Sequence, residues 1–302
     1  MTVERVVRPA GPYSLLLCTR HSTDATRSVR DGVLGTAVLV DGGRAELARA
    51  YQRHDGSIVL QGESEEGIER LRFVLGTDAD HSEFLRSFRN DPLIGRTTRL
   101  FSGMRQLRMA TVAQSLLRAF CGQLIDSRHA RELEFRIGRA TTRPVGDSGL
   151  YAPPTAADLA RFAPARLRQL GLHARRAASL VRICRSVDPE RLHRLSTDAA
   201  AEWVMAQRGL GPWSAGVVCL EGLGRYERGI VGDLTLIKLM SDLRGRWVEA
   251  HETKELLEPY GEWAGLASLY LAMGYKHGLV RLPERARLKP PPARFREAPA
   301  ST

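Results

Sequence analysis

The chemistry-bearing stretch of this 302-residue chain runs from residue 203 to residue 238, WVMAQRGLGPWSAGVVCLEGLGRYERGIVGDLTLIK, where a G-x-G reversal is followed about twenty residues later by a lone aspartate, Asp233. Asp233 follows the glycine punctuation of Gly229 and Gly232 and precedes LTLIKLMSDL. The spacing of Leu236, Leu239, Met240 and Leu243 there predicts a helix with Asp233 as its N-cap. The helix dipole and the free N–H groups of the first turn favour a carboxylate anion at such a position. An anion so held has the charge to stabilise an oxocarbenium-like sugar cation, the high-energy species of N-glycosidic bond cleavage.

The elements that must position this carboxylate are also readable. Glu202 to Gln207 predicts a helix end, Gly209 and Gly211 a tight reversal, and Pro212 the first turn of a second helix continued by Ala215, Val217, Val218, Cys219 and Leu220. Two short helices joined in this way turn backbone N–H groups outward, which suits an anion such as a phosphodiester and is blind to base sequence. Taken singly, each feature is also ordinary structure: an αα-hairpin with a glycine cap, or an aspartate that only caps a helix. It is their register that points to function.

Together these residues resemble the helix-hairpin-helix superfamily of DNA glycosylases, whose hairpin L-P-G-[IV]-G is followed by a helix and then by a catalytic aspartate. Here R-G-L-G-P-W-S-A stands at the hairpin and G-D-L-T-L-I-K at the aspartate, with Arg208 where the family usually has proline. Trp213 occupies the position at which bifunctional members carry a Schiff-base lysine, so the resemblance implies no lyase activity. Within the superfamily the chain is most similar to the bacterial 3-methyladenine DNA glycosylase II group. TVAQSLLRAFCGQLIDSRHA at 111–130 resembles the segment that enters DNA, with Leu124 as the wedge and Gln123 as its polar companion. By its own pattern this stretch is a helix opened by a capping box of Thr111 and Gln114, with Leu124 readable as core. LGLHARRAASLVRICRSV at 170–187 and YGEWAGLASLYLAMGYKHG at 260–278 resemble two further family helices.

The resemblance implies a role for each remaining position. Asp233 is catalytic. Arg208, Gly209, Leu210, Gly211, Trp213 and Ser214 hold the DNA backbone, and the carbonyls of Met205, Gln207 and Leu210 can bind a structural Na+ or K+. Trp213 offers a stacking surface to the extruded base. The other pocket positions, aromatic in the family, are here Val217, Ala272 and Met273, with Tyr270 and Tyr275 out of register. Two readings follow. One is a monofunctional enzyme that removes a damaged, alkylated base from duplex DNA, with hypoxanthine, uracil, oxidised or bulky bases as other lesions. The other is a protein of the same fold that binds damaged DNA without cutting it.

Composition is compatible with a polyanionic partner. The formal net charge is +11, and only four of the 45 cations are lysine, Lys238, Lys254, Lys276 and Lys289, which leaves 41 arginines. Cys18, Cys121, Cys184 and Cys219 are scattered in apolar contexts, predicting free buried thiols, no iron–sulfur cluster and no other cofactor. The absence of a long apolar run or a signal-type N-terminus predicts a cytoplasmic protein without membrane contact, nucleoid-associated on the DNA reading, and a monomer is expected.

The fold expected is α+β, a small N-terminal antiparallel β-domain followed by a mostly α-helical helix-hairpin-helix body. Residues 1–80 form the first, with strands at YSLLLC, VLGTAVLV, AELARAYQRH and SIVLQG and a helix from Ser64 to Val74. Residues 81–282 form the second, with caps or breaks at Asp91-Pro92, Thr155, Ser196 and Pro259 and a loop at 140–154. Residues 283–302, rich in proline and arginine, read as a disordered basic tail.

Overall fold

The computed structural model describes residues 2–20, 22–123 and 127–283. The N-terminal part is a five-stranded antiparallel sheet, order β1-β5-β4-β3-β2, from β1 (Val3–Val7), β2 (Arg27–Arg30), β3 (Val33–Val40), β4 (Arg44–Gln52) and β5 (Ile58–Gly62). Helix α2 (Glu65–Leu75) covers one face, its N-terminus capped by Ser64 and its end turned at Gly76. Leu34, Val38, Ala48, Leu60, Ile68 and Leu71 form the buried layer between them, joining the period-2 face of the strands to the apolar stripe of the helix.

Two details depart from the sequence reading. Tyr13–Cys18 is not a strand: α1 (Leu15–Thr19) is capped by Ser14 and buries Leu15 and Cys18. An unbroken apolar run of four carries no periodicity to tell strand from helix, and the serine cap decided. The edge strands β1 and β2 went unread because VERVV and RSVR show no apolar alternation, as edge strands exposed to solvent need not.

The helical body holds two cores. One is built from α5 (Val112–Gly122), α6 (Ser127–Thr141), α7 (Ala156–Ala160), α8 (Pro164–Gln169), α9 (Ala174–Ser186), α10 (Thr197–Met205) and α11 (Pro212–Val217), the last prolonged by a π turn at Val218–Gly222. The other combines α3 (Ser82–Ser87) and α4 (Gly95–Leu100) with α12 (Leu234–Arg244), α13 (Thr253–Leu257) and α14 (Ala264–Lys276). Tyr226 and Leu269 are half-buried and pack against both cores.

The Thr111 cap forms as expected, accepting the Gln114 N–H at 3.0 Å, but the reciprocal half of the box does not. The Gln114 amide donates instead to Thr26 of the N-terminal part, and Glu190 accepts the Val112 N–H at 2.7 Å.

Arginine joins the parts. Arg118 on α5 meets Glu134 on α6 at 2.9 Å, Glu221 at 2.6 Å and Asp24 at 3.3 Å, and Asp24 also pairs with the buried Arg27 at 2.6 Å. Burial alone would raise the Asp24 carboxyl, but the Arg27 and Arg118 guanidinium groups outweigh it and hold it below the usual carboxylate range.

His81, at the start of α3, is fully buried, its Nε2 within 2.8 Å of the Ser102 carbonyl. Burial pushes its pKa down to about 4, so the native state favours the neutral ring. Its contribution is therefore complete above the ordinary histidine value near 6.5 and is lost as the pH falls towards 4, by up to about 3 kcal/mol. Urea unfolding at pH 7 and pH 4.5 is expected to show this loss, and His81→Gln a smaller one; an equal loss of stability in both proteins would remove His81 from the account.

Candidate active site

Gly209 sits at φ +88°, in the left-handed region, where a side chain would add backbone strain and little steric contact. Gly211 does not: its backbone is extended, φ −140° and ψ −167°, and a Cβ there meets nothing within 4 Å. The expectation that both glycines are required by conformation is thus corrected to one. Gly209→Ala is expected to cost about 1 to 2 kcal/mol of stability, whereas Gly211→Ala should leave Tm unchanged and weaken duplex binding by placing a methyl among the outward amides. A Tm loss in Gly211→Ala, or unaltered binding, would contradict this division.

Around the reversal, α10 ends at Met205, the Leu210 N–H closes the turn on the Gln207 carbonyl at 3.0 Å, and the Leu210 side chain enters the core at 8% exposure. Arg208 is exposed and Ser214 buried. Gln123, the C-cap of α5, donates through Nε2 to the Gly209 carbonyl at 2.7 Å and lies 3.2 Å from the Ser214 hydroxyl. Gln123 is therefore tied to the hairpin itself. Leu124, the expected wedge, lies outside the described residues. Trp213 is half-buried, and a Cβ at Gly122 would stand 2.5 Å from its six-membered ring, so the indole rests on the glycine next to Gln123.

Asp233 caps α12 as the spacing predicts. Its Oδ1 accepts the N–H groups of Thr235 at 2.8 Å and Leu236 at 3.4 Å, while Oδ2 takes no hydrogen bond among the described residues. One oxygen is engaged by the start of α12 and the other is not.

Three elements hold the peptide leading to it. On α11, Gly216 lies so close to this loop that a Cβ would be 2.5 Å from the Gly229 carbonyl oxygen and 2.9 Å from Ile230 Cα. On α14, the buried Ser268 hydroxyl accepts the Ile230 N–H at 3.0 Å and donates to the Ala264 carbonyl. On α13, the fully buried Thr253 hydroxyl accepts the Gly232 N–H at 2.8 Å and donates to the Ala250 carbonyl at 2.7 Å. Gly232 itself has φ +86°. Gly229 and Gly232 were marked by the sequence as punctuation, whereas Gly216, Thr253 and Ser268 were not singled out, although a glycine inside a helical pattern, such as Gly216, is a signal of close approach.

The other expected pocket residues differ in burial. Val217, one position beyond Gly216, turns into the core at 3% exposure. Ala272 and Met273 are half-buried against the second core. Because Ser268 meets Ile230 while Tyr275 donates to Asp242 at 2.7 Å, α14 runs alongside α12. Ala272 and Met273 lie on α14 between these two contacts.

The four cysteines are buried and unbridged, and burial pushes Cys18 and Cys219 up to about 11. Among the described residues no cluster of His, Cys, Asp and Glu is placed to hold a metal ion, and no helix is long and apolar enough to cross a membrane.

Known proteins resemble this chain in sequence and in fold. The chain is 24% identical over 228 residues to the DNA-3-methyladenine glycosylase of Bacillus subtilis, covering 72% of this chain and 75% of that protein. It is 24% identical over 232 residues to a probable bifunctional transcriptional activator/DNA repair enzyme AlkA of Mycobacterium tuberculosis, of which it spans 45%. In fold it superposes on the 3-methyladenine DNA-glycosylase from Archaeoglobus fulgidus with a TM-score of 0.80 at 22% identity, covering 90% of this chain and 98% of that one. On the 8-oxoguanine glycosylase/lyase of Clostridium acetobutylicum the TM-score is 0.75 at 18% identity, covering 92% and 98%. Residues 106–262, which include the hairpin, its glycine clamp and Asp233, match a family description of their own; this chain belongs to the HhH-GPD superfamily of base excision DNA repair proteins.

Proposed function

We infer that the protein is a monofunctional DNA glycosylase that hydrolyses the N-glycosidic bond of an alkylated base extruded from duplex DNA. The observation that carries this reading is Asp233, one carboxylate oxygen fixed by the α12 amides and the other unbound, on a peptide clamped against the second helix of the hairpin. The names of the Bacillus and Archaeoglobus relatives support the alkylated lesion.

On this reading the hairpin amides and Arg208 hold the phosphates of the strand, and the segment after Gln123 fills the vacated position. Asp233 stabilises positive charge on the deoxyribose as the base departs and directs water to the anomeric carbon. An alkylated base carrying a formal positive charge leaves readily, so no strong general acid is required. The carbonyls of Met205, Gln207 and Leu210 would hold a hard monovalent cation, which oxygen donors suit. Such an ion would add positive charge at the hairpin, where the Leu210 N–H on the Gln207 carbonyl keeps the turn closed.

Duplexes carrying single lesions, incubated with the protein and then treated with hot alkali, test the activity. Strand breaks that appear only after alkali are the expected result, and no breaks on any alkylated lesion would reject it. The same reactions with borohydride are expected to trap no protein–DNA adduct, because Trp213 stands where an amine would be needed. A trapped adduct would reveal a lyase, and the exposed Lys238 on α12 would be the first amine to replace.

A further inference from the structure

Away from Asp233, a cavity of about 660 Å³ opens between α6, Thr23 and Asp24, Tyr151 and Leu170. Arg131, Phe135, Arg136 and Arg139 supply its α6 wall, the i, i+4 spacing that puts side chains on one helix face. Arg139 lies over two rings at once, 5.6 Å from the Phe135 centroid and 5.1 Å from that of Tyr151. Among the described residues its guanidinium makes no hydrogen bond or ion pair. A guanidinium held over two rings is pre-oriented, and its N–H edge matches a phosphate oxygen pair.

The two carboxylates on the wall do not cancel this charge. Asp24 is buried and consumed by Arg27 and Arg118, and Glu132 accepts from Arg128 at 3.1 Å. Phe135 remains 38% exposed, an uncommon state for a phenylalanine and a ready stacking face. The volume lies within the range of small-ligand sites.

The geometry points to a nucleotide subsite, in which Arg139 holds a phosphate and Phe135 stacks a base. DNA is the source of that nucleotide, because α6 begins four residues after Gln123, which is bonded to the hairpin. In this the subsite rests on the DNA reading above, but not on catalysis by Asp233.

The test is calorimetric titration of the full chain with deoxyadenosine 5′-monophosphate. One-site binding is expected, weakened about tenfold or more in Arg139→Gln and in Phe135→Ala, about tenfold weaker for deoxyadenosine or inorganic phosphate alone, and unchanged in Asp233→Asn. Both replaced side chains are exposed, so Tm should hold. No binding by the wild type, or binding retained by Arg139→Gln, would overturn the subsite, and loss in Asp233→Asn would move the nucleotide to the catalytic cleft. An undamaged duplex should displace the mononucleotide and bind Arg139→Gln less tightly; a duplex indifferent to Arg139 would overturn DNA as the source. Excision by these variants is a separate readout, so failure of the subsite and failure of the glycosylase reading are told apart.

Discussion

Asp233→Asn is expected to lower single-turnover excision by about a hundredfold to a thousandfold or more, while binding to duplex containing an abasic analogue stays within a few fold. The asparagine oxygen can still accept the Thr235 and Leu236 N–H groups that now fall on Oδ1, so the helix start and its position survive. What disappears is the negative charge of the carboxylate, and an NH2 group replaces the oxygen that takes no hydrogen bond. Binding measured by anisotropy and excision measured after alkali separate the two effects. Excision that survives within about tenfold would mean that the sugar cation is stabilised by another group.

Thr253→Val removes a hydroxyl that touches no substrate yet holds the Gly232 N–H one residue before the carboxylate. Valine matches threonine in shape, so the core around α13 remains filled, but a buried donor loses its partner at about 1 to 3 kcal/mol. Small displacements of a reacting group cost rate steeply, and excision is expected to fall about tenfold to a hundredfold at saturating enzyme, with duplex affinity unchanged. Thr253→Ser restores the hydroxyl and should restore most of the rate. If serine fails to rescue, or valine leaves the rate intact while lowering Tm, Thr253 serves stability only.

Much of the site was legible because its chemistry is local. The N-cap role of Asp233 is set by the few residues after it, and the left-handed turn at Gly209 by the helix that ends before it. Pro212 opens α11 as its missing N–H allows. The same applies to Ser64, Thr155 and Ser196, each of which caps a helix through its own side chain. Burial was not legible where the deciding partner is distant: the close packing of α11 on the Gly229 loop turns Val217 into the core, and nothing local to Val217 shows it. Gly211 was grouped with Gly209 by residue type, although only a backbone angle distinguishes them.

Composition was similarly ambiguous. The arginine excess pointed to a polyanion, yet Arg27 and Arg105 are 2% exposed and Arg108 is 8% exposed, each serving as an internal tie. Arg105, for example, donates to the carbonyls of Gly76, Ala10 and Pro12, joining the N-terminal part to the body. A guanidinium with five donors satisfies several buried carbonyls at once, so the same residue type binds phosphate outside and staples backbone inside.

The sequence by itself determined the superfamily, the hairpin, the capping aspartate and the missing lyase lysine, because caps, turns and residue identity depend on neighbours within a few positions. The tertiary structure decided which hydroxyls clamp the peptide before Asp233 and that Arg139 lies over two rings at once. These depend on contacts between residues 12 to 38 positions apart, such as Gly216 with Gly229, Arg139 with Tyr151, Gly232 with Thr253 and Ile230 with Ser268. Such contacts arise only when whole helices pack, and no local pattern of apolar and polar residues encodes them.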